Sequence, residues 1–167
     1  GWNCAQLATA LRLVAPSEGL IAALERFGTL YPAHLRRRWL WRLGVAPLDE
    51  ARDAALVAAC ERHMRETGQS PDAFFFSNRG GRADSAELQP LFADYEAIGP
   101  DHDYWNDGAP QSMLYDEVEA IWSAIDRDDD WQPLLDKVAA VRRMGQAHGT
   151  PPVPASRGTG DESEKAR

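Results

Sequence analysis

The chain has 167 residues, a formal net charge of −8, 44% hydrophobic and 26% charged residues, the profile of an ordinary soluble globular protein. Its length fits one domain of roughly 100–150 packed residues plus a tail. The longest apolar run, Ala54 to Cys60, is far shorter than the roughly 18–20 residues needed to cross a bilayer, and no basic segment precedes an apolar one in the manner of a signal peptide.

Charge divides unevenly along the chain. Residues 1–62 carry eight bases and six acids, whereas residues 63–167 carry ten bases and twenty acids. An acidic second half argues against nucleic acid as a partner, because phosphate affinity depends on Lys and Arg neutralisation. Arg36, Arg37, Arg38 and Arg42 form the main basic cluster, read as a solvated helix face. Cys4 and Cys60 each sit in an apolar helical pattern. They are expected to be buried, reduced thiols, which points to the cytoplasm.

The periodicity predicts helix after helix. Asn3 is a plausible N-cap for Cys4, Leu7, Leu11 and Val14, up to Pro16. Ser17 is expected to cap a second helix carrying Leu20, Leu24, Phe27 and Tyr31 on one stripe. Pro32 should kink or restart it, since proline removes a ladder hydrogen bond. Its continuation through Leu35, Trp39, Leu40 and Leu43 ends at Gly44. Trp39 and Trp41 lie two residues apart and cannot share a face, so one of them is free for a partner or neighbouring domain. Asp49 opens a third helix with Leu56, Val57, Cys60 and Met64 inward, closed by Gly68. Ser70-Pro71 starts a short helix over residues 72–76.

Residues 78–82, around Gly80-Gly81, read as an exposed loop. Asp84 and Glu87 have capping-box spacing ahead of Leu88, Leu91, Phe92 and Tyr95. Residues 98–111 are irregular. A helix over residues 116–125 places Val118, Ile121, Trp122 and Ile125 on one face. Asp130 caps a last helix with Trp131, Leu134, Leu135, Val138 and Val141. From residue 149 the composition turns to Pro, Gly, Ser and charge, which cannot offset an ordering entropy of roughly 1–2 kcal/mol per residue. The expected fold class is therefore all-α, an irregular multi-helix bundle over residues 1–148, with a disordered tail at 149–167.

Sites of chemistry are sparse. There is no glycine-rich phosphate cradle of the Walker or dinucleotide kind, and the lysines are Lys137 and Lys165 alone. Arg79-Gly80-Gly81-Arg82 could touch an anion, although a plain loop is the simpler reading. Asp126, Asp128 and Asp130 match the first positions of a calcium loop. The pattern then fails at Trp131 and Lys137. Asp101-His102-Asp103 holds an imidazole between two carboxylates, which by itself does not make a metal site. His34, His63, His102 and His148 lie in separate segments without a nucleophile nearby. No catalytic, cofactor-binding or metal-binding residue is assigned.

The opening run, with Trp2, Asn3, Leu7, Ala8 and Leu11, resembles the motif that begins the C-terminal helical region of the selenoprotein O family. The stretch from Tyr31 to Arg42-Leu43-Gly44 looks like that family's helix ending in a Lys-Leu-Gly-Leu run. Met113 to Gly145, with Trp122 and Asp129-Asp130-Trp131, looks like its closing helices. The likeness runs over residues 1–147. It implies a protein-kinase-like fold and the transfer of AMP from ATP, with Mg²⁺, to hydroxyl side chains of protein substrates. The family's ATP-binding lobe and metal-binding residues lie upstream of this motif, so no position here matches them, and its redox-active Cys or selenocysteine has no counterpart. The opening at Gly1 rather than Met fits a chain lacking that N-terminal catalytic portion, which becomes the expected partner. The alternative is a self-standing α-helical interaction module without catalysis.

Overall fold

Local signals set several of the helix boundaries in the computed structural model, which describes residues 1–152. Seven α-helices follow in chain order among the described residues: α1 (Trp2–Leu11), α2 (Ser17–Leu43), α3 (Glu50–Thr67), α4 (Pro71–Ser77), α5 (Gln89–Phe92), α6 (Tyr115–Asp128) and α7 (Gln132–His148). No strand is present among them; a single antiparallel bridge joins Val45 and Ala97. The all-α expectation holds. Of the tail expected at 149–167, residues 153–167 lie outside the described residues.

The caps of α3 and α4 form as the sequence predicts. The Asp49 carboxylate accepts from the Arg52 amide at 2.9 Å, and Ser70 Oγ accepts from the Ala73 amide at 3.3 Å. Each supplies an acceptor to an amide that the helix leaves free. Gly68 closes α3 at φ +71°. Gly44 closes α2 at φ +67°, a left-handed conformation that side chains with a Cβ resist.

Other expectations need correction. Helix α1 starts at Trp2 behind Gly1, so Asn3 lies inside it and caps nothing. Ser17 is the first residue of α2, preceded by Pro16, and makes no side-chain cap. Pro32 does not restart α2, which continues as one 27-residue helix; one missing bond is a small part of so long a ladder. Asp84 and Glu87 form no capping box. Helix α5 is only four residues long, and Ser85 Oγ accepts from the Leu88 amide instead. Asp84 donates its amide to the buried Asn78, and Glu87 pairs with Arg62.

The core gathers around Leu40, Leu43, Val45, Leu56, Cys60 and Phe74, with Phe75, Leu88 and Phe92 closing it. Trp39 packs on Phe75 with ring centroids 4.9 Å apart. Burying such side chains is worth about 1.5–3 kcal/mol each, which holds the C-terminal half of α2 against α3, α4 and α5. Beneath this core the Tyr95 hydroxyl donates to Asp53 at 2.9 Å, and the same Asp53 oxygen accepts from the Leu48 amide at 3.1 Å.

The two ends of the described part of the chain are less enclosed. Helix α1 packs against α2 and buries none of its residues. Cys4 is exposed, contrary to the expectation of two buried thiols; only Cys60 is buried. At the other end α7 packs on α6 and on the 3₁₀ turn Asp103–Asn106. Lys137 fixes that hairpin, donating to Glu117 at 2.7 Å and to Gln111 at 3.1 Å. Helix α6 contributes no buried residue. Its expected inward face is split, with Ile121 and Ile125 half-buried and Val118 and Trp122 exposed.

Candidate functional site

The most elaborate polar arrangement centres on Arg79, which opens the 3₁₀ turn Arg79–Gly81 directly after α4. Sequence reasoning places this residue in an exposed loop; in the fold it is 5% exposed. Its Nη1 donates to the carbonyls of Trp41 and Arg42 at 2.9 and 3.3 Å, and its Nη2 donates to that of Ile98 at 3.5 Å. The two α2 carbonyls lie in the last turn of the helix, where the peptide dipoles favour a cation. The guanidinium also stacks over Trp105, 4.6 Å from the ring centroid.

Space for this side chain comes from two glycines. A Cβ at Gly44 or at Gly99 would collide with the guanidinium, and both residues have positive φ. Burial lowers the Arg79 pKa, with a smaller contribution from the Arg82 charge.

Beside Arg79, the His148 ring at the end of α7 lies 5.3 Å from Trp41 and 5.0 Å from Trp105, centroid to centroid. Burial, then the Arg79 and Arg42 charges, pull its pKa down to about 4. Trp41 Nε1, Trp105 Nε1 and His148 Nδ1 are buried and unpaired among the described residues. Trp39 and Trp41 both find ring partners within the chain, at Phe75 and at this cluster, and both are half-buried.

An open cleft of about 340 Å³ lies alongside, lined by Arg79, Arg82, Gly99, His102 and Trp105 among others. Arg82 donates through Nε to the Arg79 carbonyl at 3.0 Å. With the Arg79 donors engaged by main-chain oxygens, the arrangement is a joint between α2, the 3₁₀ turn, residues 97–106 and α7. Its chemistry is that of holding elements together.

The other motifs singled out in the sequence are dispersed. His102 Nδ1 accepts from the Tyr104 amide at 3.1 Å, while Asp101 and Asp103 are exposed. Asp130 accepts from the Gln132 amide at 2.9 Å, and Asp129 from Trp131 Nε1 at 2.8 Å, so the aspartate run forms the turn into α7. Among the described residues no group of three or more His, Cys, Asp or Glu side chains could share a metal ion. His34 lies by Arg37 and His63 by Glu87 and Phe74. Part of the arginine cluster is tied down: Arg36 pairs with Glu50, and Arg42 pairs with Asp72 and stacks on Phe75, while Arg38 stays exposed as expected. Among the described residues no helix is long and apolar enough to cross a membrane.

Comparison with known proteins gives the class first. The chain is similar to bacterial enzymes described as protein nucleotidyltransferases, and these belong to the selenoprotein O family to which the residues around Trp2 and Asn3 point. The particular relatives are YdiU proteins. The one from Gloeobacter violaceus is 25% identical over 84% of this chain and 35% of its own length. Those from Trichodesmium erythraeum and Synechocystis are 25% and 24% identical, over 83% and 84% of this chain. The chain therefore spans about a third of the length of the curated relatives it matches. No family model matches it, and no solved structure does.

Proposed function

We propose that this chain is the helical part of a selenoprotein O-type protein nucleotidyltransferase and supports a kinase-like catalytic portion. That portion would bind ATP and Mg²⁺ and transfer AMP to hydroxyl side chains of proteins. The observation that carries this reading is a similarity running along five-sixths of the chain yet covering about a third of each relative. A helical unit without a phosphate cradle suits that role. The exposed apolar side chains of α1 and its junction with α2, among them Trp2, Leu7, Leu13 and Val14, give it a surface on which such a portion could rest. Unpaired Cys4 and Cys60 suit work in the cytoplasm.

A chimera tests the assignment. The matched segment of the Gloeobacter protein is replaced by this chain, and transfer of label from ATP to protein is measured. Transfer by the chimera, together with no Mg²⁺-dependent ATP binding by this chain alone in calorimetry, is the expected result. A folded chimera without transfer, or ATP binding by the isolated chain, overturns it. A self-standing interaction module is the second reading, favoured by a core that α2, α3, α4 and α5 close among themselves. It requires a monomer that binds no catalytic portion.

A further inference from the structure

The face of α6 turned away from α7 has an unusual composition for a surface that no described residue covers. Tyr115, Glu119, Trp122 and Asp126 follow one another at spacings of four, three and four residues, which places them in a single stripe along the helix. Tyr115 is 75% exposed and Trp122 59%, and Glu119 and Asp126 are exposed too. Val118 widens the apolar part of the stripe at its edge, and Leu114 extends it past the helix start; both are exposed.

Aromatic ring and carboxylate thus alternate along the helix. Glu117, on another face, is held by Lys137, whereas Glu119 and Asp126 have no ion-pair partner among the described residues. Arg127, the one base of α6, turns back to the Ser123 carbonyl.

We infer that this stripe docks a cationic amphipathic helix of a partner protein. Apolar side chains of that helix would pack against Tyr115, Val118 and Trp122. Its Lys or Arg heads would meet Glu119 and Asp126 and lie over the two rings, which attract cations through their electron-rich faces. Charge decides between occupants. Phosphate surfaces of nucleic acid or anionic lipid carry the wrong sign. A second copy is a poor match, because the arginines of its basic run are largely tied to Glu50, His34 and Asp72. Residues 153–167 balance three bases against three acids and offer Val153 as their only large aliphatic side chain. The inference uses neither the kinase-like portion nor nucleotide chemistry, so it stands or falls apart from the proposed function.

Anisotropy of a dye-labelled synthetic helix of Leu and Lys, titrated with the 167-residue chain, tests it. The same helix with every Lys replaced by Glu serves as the comparison. The Lys helix is expected to bind, to weaken as salt rises, and to lose about tenfold in affinity with Trp122→Ala, with Tyr115→Ala, and with Glu119→Gln combined with Asp126→Asn. Ile21→Ala on α2 should leave binding unchanged. Circular dichroism of each variant confirms that the helices are intact. Equal binding of the Glu helix, no binding of the Lys helix, loss through Ile21→Ala alone, or preferential uptake by zwitterionic vesicles overturns the proposal.

Discussion

Arg79 Nη1 donates at 2.9 Å to the carbonyl of Trp41, 38 residues earlier in the chain. This bond and its neighbours let one buried guanidinium terminate α2 and meet the segment that follows α5. Replacing Arg79 by Ala should cost about 2–4 kcal/mol, since several main-chain carbonyls lose their donor at once. Arg79→Lys should recover only part of this, because an ammonium cannot reproduce the planar fork. Urea unfolding midpoints of the three proteins decide it; equal stability would show that Arg79 is not the joint.

Gly44 and Gly99 should tolerate no side chain. Each has positive φ, and a Cβ at either would collide with the Arg79 guanidinium. Gly44→Ala and Gly99→Ala should each destabilise by at least about 1–2 kcal/mol. In the Arg79→Ala background the penalty should shrink towards that of backbone strain alone. A double-mutant cycle measures that difference.

Stability should fall on mild acidification through His148. Its folded pKa of about 4 lies below the value near 6.5 of an unfolded imidazole. Between these values the unfolded chain binds the extra proton. The contribution is therefore whole above about pH 6.5 and is lost as pH drops towards about 4. His148→Phe keeps a ring against Trp41 and Trp105 and should flatten this part of the stability profile. Denaturant midpoints at several pH values check it, and parallel profiles for the two proteins would contradict it.

The two thiols should behave as opposites. Cys60 is fully buried, and burial pushes its thiol up to about 12, so the reactive thiolate is scarce. Cys4 is exposed on α1. A thiol reagent should label one cysteine in the native protein, none after Cys4→Ser, and a second only on unfolding. Mass spectrometry of the labelled protein reads the count.

The carboxylate of Asp53 serves both a half-buried hydroxyl and an amide. Tyr95→Phe should cost about 1 kcal/mol, the usual net worth of one such bond. Asp53→Ala should cost more, because the Leu48 amide and the Tyr95 hydroxyl both lose their acceptor. Thermal unfolding of the two variants gives the order, and the reverse order would refute the shared role.

What the sequence determined by itself was the local structure and the relatives it resembles. Asp49, Ser70-Pro71, Gly44 and Gly68 mark helix ends because capping is decided within a few residues. The spacing of Leu56, Val57 and Cys60 reports one buried face, because a helix repeats every 3.6 residues. The Trp2-Asn3 motif points to the same relatives as the similarity over about five-sixths of the chain. The tertiary structure alone decided which residues those faces meet. Nothing near Arg79 foretells its burial, because its partners Trp41, Ile98 and Trp105 come from distant segments, and the room it needs is made by Gly44 and Gly99. Likewise Cys4 and Trp122 carry the periodicity of buried residues yet remain at the surface. Periodicity shows that a helix has an apolar side; whether another part of the chain covers that side depends on long-range packing.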